Sequence, residues 1–257
     1  MWIDTHAHLY SDHFNEDRNE VIQNAVQIGI KQLLLPNIDV ESITPLLAVV
    51  EKYPSLCFPM MGLHPCSVNE QFEENLVKIK NELFSKKYIA VGEIGIDLYW
   101  SKEFVNEQLL VFETQIKWAL ELDLPIVIHA RDSFKEIYEV LDKFKNTDLR
   151  GVFHCFTGKS NDVKKIKSYQ NFLFGIGGVL TYKNTKLRET LLDIKLENIV
   201  LETDSPYLPP VPYRGKRNEP KYMLEVAQVI SDVFQLEMKK IAEISTSNAK
   251  KCFTLLP

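Results

Sequence analysis

Eight short aliphatic runs, each followed by an amphipathic stretch, recur along the chain and leave few folds open to it. The runs are Trp2 to His6, Gln32 to Pro36, Leu56 to Met61, Tyr88 to Glu93, Pro125 to His129, Gly151 to Phe156, Phe172 to Ile176 and Ile199 to Asp204. Near-continuous apolar runs read as strands buried on both faces, the mark of parallel β-structure. Between them, apolar residues recur at helical spacing in Glu16 to Ile28, Glu41 to Tyr53, Glu70 to Leu83, Phe104 to Leu122, Phe134 to Phe144, Asp162 to Tyr169 and Thr185 to Ile194. Pro220 to Phe234 and Lys239 to Phe253 read as two closing helices. Eight strand–helix units predict a closed α/β barrel, a (β/α)8 TIM-like barrel, over residues 1–257 as one domain. An open doubly wound sheet is the competing fold. It would be favoured by a glycine fingerprint opening a helix, and none occurs. Gly175-Ile176-Gly177-Gly178 reads as a tight strand exit.

Composition sets the class of molecule. With 45% hydrophobic and 25% charged residues, the chain can bury a large core. A net charge of -5 excludes a surface coated for nucleic acid, although local basic clusters could focus a phosphate. Cys57, Cys66, Cys155 and Cys252 show no disulfide-scaffold spacing, so a reducing compartment is expected. No basic leader and no apolar run of ~18 residues occurs. A soluble cytoplasmic protein is expected, a monomer by default.

The chemistry lies where the aliphatic runs end. His6 and His8 close the first run at i, i+2; on a strand both imidazoles would share a face. A His-x-His alone is as often structural. Glu93, His129, His154 and Asp204 close the fourth, fifth, sixth and eighth runs, and barrel sites are built at the C-terminal ends of strands. The bland alternatives are a cap or salt bridge for Glu93, satisfied core histidines for His129 and His154, and a turn starter for Asp204 before Ser205-Pro206. Together the six support a centre for two divalent ions, Mg2+, Mn2+ or Zn2+. His6, His8 and Asp204 would hold one, His129 and His154 the other, and Glu93 would bridge them. Such ions activate water, and Asp204 would orient that water and take its proton. By strand spacing Asp4 and Glu202 would orient imidazoles. Cys155 is expected on the opposite strand face, outside the centre.

The substrate is read from cations near the same ends. Arg131 follows His129, Lys159 follows the turn after His154, and Arg214, Lys216 and Arg217 lie in a proline-rich final loop from Ser205 to Pro220. His64 ends the third run. Guanidinium and ammonium groups beside a two-metal centre suit a phosphodiester; the bland reading of Lys216 and Arg217 is a solvated pair. Tyr99, Trp100 and Tyr182 follow strand ends and could stack on a base, or simply pack in loops. No duplex-reading motif occurs, which favours single-stranded DNA or frayed DNA ends over intact duplex. A small-molecule amidohydrolase or esterase is the rival, and a non-catalytic metal protein a third reading.

The stretches Asp4-Thr5-His6-Ala7-His8, Gly62-Leu63-His64-Pro65, Val91-Gly92-Glu93-Ile94-Gly95-Ile96-Asp97, Pro125 to Arg131, His154-Cys155-Phe156-Thr157-Gly158 and Leu201 to Leu208, with Arg214 to Pro220, resemble the TatD family of metal-dependent deoxyribonucleases. The resemblance implies a TIM-like barrel with a two-metal centre, with His6, His8, Glu93, His129, His154 and Asp204 as ligands. It implies Mg2+- or Mn2+-dependent 3′-to-5′ exonuclease activity on single-stranded DNA, in some members on RNA or at abasic sites, with proposed roles in DNA repair and DNA degradation. Substrate contacts at His64, Arg131 and Lys159 follow from it. Many related carbonyl hydrolases carry a carbamylated lysine on the fourth strand, where this chain has Glu93.

Overall fold

The computed structural model describes residues 1–256. Eight parallel strands form in chain order: β1 (Trp2–Asp4), β2 (Ile30–Leu35), β3 (Cys57–Pro59), β4 (Val91–Asp97), β5 (Ile126–Arg131), β6 (Gly151–Phe153), β7 (Phe172–Ile176) and β8 (Ile199–Leu201). Regular ladders join β1-β2-β3 and β4-β5-β6-β7-β8. Backbone bonds close both seams. Thr5 N donates to Leu201 O (3.0 Å), Asp204 N to His6 O (2.9 Å) and His8 N to Ser205 O (2.7 Å). Ile89 N donates to Pro59 O (3.1 Å), Met61 N to Ala90 O (3.2 Å) and Gly92 N to Met61 O (3.1 Å). Among the described residues no strand is left with an open edge, which is what barrel closure achieves.

The helices are α1 (Arg18–Gln27), α2 (Ile43–Lys52), α3 (Phe72–Ser85), α4 (Val105–Glu121), α5 (Phe134–Leu141), α6 (Ser160–Lys167), α7 (Leu187–Ile194), α8 (Met223–Phe234) and α9 (Met238–Cys252). Each buries an i, i+3, i+4 face: in α4 Val111, Phe112, Gln115, Ile116 and Ala119 turn inward. Several expected helices shorten because their ends are 3-10 turns, as at Asp142–Phe144 and Pro220–Tyr222. α6 instead begins earlier than expected, at Ser160. No helix among the described residues is long and apolar enough to cross a membrane.

Two apolar layers hold the fold. The larger lies between strands and helices. The smaller gathers Ile3, Leu34, Met60, Val127, Val152 and Val200 with Phe253, which follows α9 and is fully buried. These strand residues face the barrel axis, and the end of α9 plugs the bottom. Two residues beyond Val127, Val152 and Val200 come His129, His154 and Glu202, so on β5, β6 and β8 strand parity carries an apolar floor into a polar layer.

The expected strand ends need correction. β4 and β5 run on to Asp97 and Arg131, whose Cα atoms pair. Glu93 and His129 therefore lie inside their strands. A register irregularity between Val91 and Ile94 re-aims Glu93 toward the mouth. β1, β6 and β8 stop earlier than expected, and His6, His8, His154 and Asp204 stand just past them. There the backbone leaves the ladder: Cys155 and Asp204 have φ of 44° and 58°. Alternation also fails between Ile3, which faces the axis, and His6; the two imidazoles share a side because the chain pairs anew at Ala7 with Ser205.

Candidate metal centre

All six expected ligands converge, and Glu93 sits at their centre. Its Oε2 lies 3.1 Å from His6 Nε2 and 3.7 Å from His8 Nε2. Its Oε1 lies 2.8 Å from His129 Nδ1 and 3.7 Å from His154 Nε2. Asp204 Oδ1 completes the first group, 3.4 Å from His8 Nε2 and 3.8 Å from His6 Nε2, with His154 Nε2 at 3.9 Å. One carboxylate thus turns an oxygen to each of two histidine pairs.

Hydrogen bonds around the rim decide which nitrogens carry protons. Tyr10 donates its hydroxyl to Pro36 O (2.6 Å), so it accepts from His8 Nδ1 (2.9 Å). His8 Nε2 is then a lone pair facing carboxylate oxygens and, at 3.1 Å, His6 Nε2, an arrangement that a cation would satisfy. His129 donates Nε2–H to Asp97 Oδ2 (2.9 Å), which leaves Nδ1 to face Glu93. His64 is also close to Glu93 Oε1 (3.3 Å). Its Nδ1, however, accepts from Cys66 N (3.1 Å), so its Nε2 carries the proton. His64 is a donor at the edge of the centre, not a fifth nitrogen ligand. His6 Nδ1 is buried without a partner.

The electrostatics follow from packing. Burial opposes ionisation of Glu93, but the surrounding imidazoles of His64, His6 and His154 hold its carboxyl well below the usual range. Burial also opposes protonation of His154, and Glu202 and Glu93 outweigh it, raising it to about 10. Burial and the neighbouring His154 push His6 down. Metal binding here would displace protons. Asp204 has a 13% exposed side chain against 3% for Glu93, so it is the carboxylate that reaches the open side.

Supporting groups differ in part from expectation. Glu202 does face an imidazole, its Oε1 lying 3.0 Å from His154 Nδ1 while accepting from Cys155 N at 2.5 Å. Gly175 makes that possible, because a Cβ there would lie 2.2 Å from Glu202 Oε2. Asp4 touches no imidazole: it accepts from Thr203 Oγ1 (2.6 Å), Thr203 N (3.0 Å) and His6 N (3.3 Å), tying the start of the barrel to its end. Burial, partly offset by those bonds, raises its carboxyl to about 7. Cys155 does not turn away. It lies past β6, and its sulfur falls within 4.8 Å of ligand atoms of His154 and Asp204.

Asp97, Tyr10, Gln108 and Gln115 were given no role by sequence reasoning. Asp97 was visible as a carboxylate ending an aliphatic run. Its carboxyl is down at about 2, burial being outweighed by the His129 bond and backbone N–H groups. Gln108 Oε1 accepts from Asp97 N (2.9 Å), and Gln115 exchanges bonds with Leu63 N (2.7 Å) and O (3.1 Å), beside His64. Two buried glutamines of α4 thereby place the ends of β3 and β4. Nothing in their helical spacing separates them from surface residues.

The expected substrate cations form no bond to the six. Arg131 lies over the Tyr99 ring at 3.7 Å, and Arg214 over Tyr182 at 3.8 Å. Lys159 is exposed just before α6, and Lys216 is exposed in the final loop. Arg217 is no solvated partner of Lys216: it holds Asp17 through two bonds (2.8 and 2.6 Å) and straps the loop to the start of α1. Asn218 anchors the same loop to Thr203 O and Tyr207 O (both 2.7 Å).

Known proteins resemble this chain over nearly its whole length. A family model described as TatD related DNase matches residues 3–254. The metal-dependent hydrolase YabD of Bacillus subtilis (strain 168) is 36% identical over 256 residues, covering 99% of this chain and 100% of its own. YcfH of Escherichia coli (strain K12), also named a metal-dependent hydrolase, is 28% identical over 98% of this chain and 95% of its own. The crystal structure of YjjV, a TatD homolog from Escherichia coli K12, superposes with a TM-score of 0.92 at 27% identity, covering 99% of this chain and 98% of that one. The chain belongs to the TatD-related DNase family of metal-dependent hydrolases.

Proposed function

We propose that the protein hydrolyses phosphodiester bonds in single-stranded DNA or frayed DNA ends, removing nucleotides from the 3′ end, with residues 1–257 acting as one catalytic unit. The observation that carries this is the division of Glu93, one oxygen toward His6 and His8, the other toward His129 and His154. Two oxygens of one carboxylate facing two nitrogen pairs suit a bridging ligand between two divalent cations, Mg2+, Mn2+ or Zn2+. Such cations supply an activated water and neutralise charge on the attacked phosphate. His6, His8 and Asp204 would hold the first; His129 and His154 would hold the second. Asp204, the more open carboxylate, orients the attacking water and accepts its proton.

His64 Nε2–H, which has no lone pair to offer a cation, donates to a non-bridging phosphate oxygen. Arg131 and Arg214 lie over the rings of Tyr99 and Tyr182, and their guanidinium N–H groups suit phosphate oxygens. Lys159 and Lys216 add charge along the path of the strand. A few cations at one mouth suffice for a strand end, in keeping with a net charge of -5. The cysteines are all unpaired, which suits a monomer working in the reducing cytoplasm.

The test is a 5′-end-labelled single strand incubated with protein and Mg2+ or Mn2+, beside a panel of lactone, amide and ester substrates. Progressive shortening from the 3′ end supports the reading. Intact DNA with turnover of a carbonyl substrate overturns it.

A further inference from the structure

Tyr99 and Trp100 follow β4 and stand in solvent, 54% and 72% exposed, whereas Trp2 and Trp118 are each 7% exposed. Their rings meet edge to face, centroids 5.0 Å apart. Arg131, the last residue of β5, lies 3.7 Å from the Tyr99 centroid and 5.3 Å from that of Trp100. This shelf is held by the centre itself. Asp97 Oδ1 accepts from Tyr99 N (2.9 Å) and Trp100 N (3.3 Å), while its Oδ2 accepts from His129. One buried carboxylate thus positions both a candidate metal ligand and a pair of exposed aromatic rings.

A flat aromatic face beside a guanidinium is what a nucleotide requires: a π surface for the base and a charged edge for its phosphate. We infer that Tyr99, Trp100 and Arg131 form a nucleobase-stacking subsite that seats the base next to the scissile phosphodiester. The inference rests on the phosphodiesterase reading and deepens it. Every base has a π face, so the subsite tolerates any sequence. A paired base has its faces covered by its neighbours in the duplex, so the shelf selects unpaired ends.

The test compares hexathymidylate with an otherwise identical oligomer of base-free tetrahydrofuran units, for wild type, Trp100→Ala and Trp100→Phe. Trp100→Ala is expected to raise KM for hexathymidylate about 10-fold with kcat little changed, because a base–aromatic stack supplies binding of that order. Its KM for the base-free oligomer should match that of wild type, and Trp100→Phe should restore most of the loss. Titrating hexathymidylate into Glu93→Gln protein should quench tryptophan fluorescence, and adding Trp100→Ala should abolish the quench. Equal losses on both oligomers, or an unchanged KM without quenching, overturn the subsite and leave the phosphodiesterase reading standing. A metal-loaded wild type that cleaves neither oligomer overturns both.

Discussion

Replacing Asp97 by Asn tests how the second metal position is held. The change keeps size and shape but turns one acceptor into a donor. Asp97 now serves two sides, with Oδ1 accepting from Tyr99 N and Trp100 N at 2.9 and 3.3 Å and Oδ2 from His129 Nε2 at 2.9 Å. A carboxamide has one oxygen for both. Turned with its NH2 toward the backbone pair, it leaves two N–H groups unsatisfied at ~1–3 kcal/mol each. Turned the other way, its NH2 meets His129 Nε2. The second arrangement costs less, and it obliges the imidazole to accept at Nε2 and carry its proton on Nδ1. That proton then faces Glu93 Oε1 at 2.8 Å, where a cation needs a lone pair. Losing such an orienting partner weakens metal affinity ~10–100-fold, or about 1.4–2.8 kcal/mol. Isothermal titration with Mn2+ should resolve two binding events in wild type. In Asp97→Asn one should keep its Kd and the other weaken within that range. Equal weakening of both, or of neither, would refute the tautomer argument.

Two further perturbations separate the centre from the scaffold. Gly175→Ala puts a Cβ 2.2 Å from Glu202 Oε2; displacing that carboxylate from His154 should lower metal affinity ~10-fold or more while overpacking costs ~1–3 kcal/mol, and unchanged Mn2+ binding in calorimetry would contradict the role given to Glu202. Asp17→Asn removes the Arg217 strap; for a pair this exposed the loss is at most ~1 kcal/mol, or a melting temperature about 2–4 °C lower at pH 7. Hydrogen bonding to Arg217 holds the Asp17 carboxyl below its ordinary 3.8, so the strap stabilises above that value and is lost as pH falls through the lowered one. Urea unfolding of both proteins should show the difference narrowing in acid; a constant difference would mean the bond pattern, not the charge, is responsible.

The parts of the fold legible in the chain were those that periodicity controls. Aliphatic runs predicted eight strands and their barrel because a strand covered on both faces cannot afford polar residues. Parity then worked where the ladder stays regular, carrying Val127 to His129 and Val152 to His154. It failed where the backbone departs from the ladder. The left-handed φ at Cys155 turns that residue toward the centre, and the irregularity in β4 re-aims Glu93 within its strand. Partnerships made across the fold were also beyond reach. Asp4 binds Thr203 rather than a histidine, Gln115 reaches Leu63, and Arg217 reaches Asp17 nearly the whole chain away. The convergence of the six ligand candidates was legible because each ends or follows an aliphatic run, although Glu93 and His129 lie inside longer strands. Which nitrogen of each ring is free was not, because that depends on Tyr10, Asp97 and Cys66 as neighbours in space.

The most direct measurement is anomalous diffraction from crystals grown with Mn2+. The account predicts two manganese peaks ~3.5–4 Å apart, with one Glu93 oxygen on each, His6 and His8 on the first and His129 and His154 on the second. A single peak, or two peaks without Glu93 between them, would contradict it.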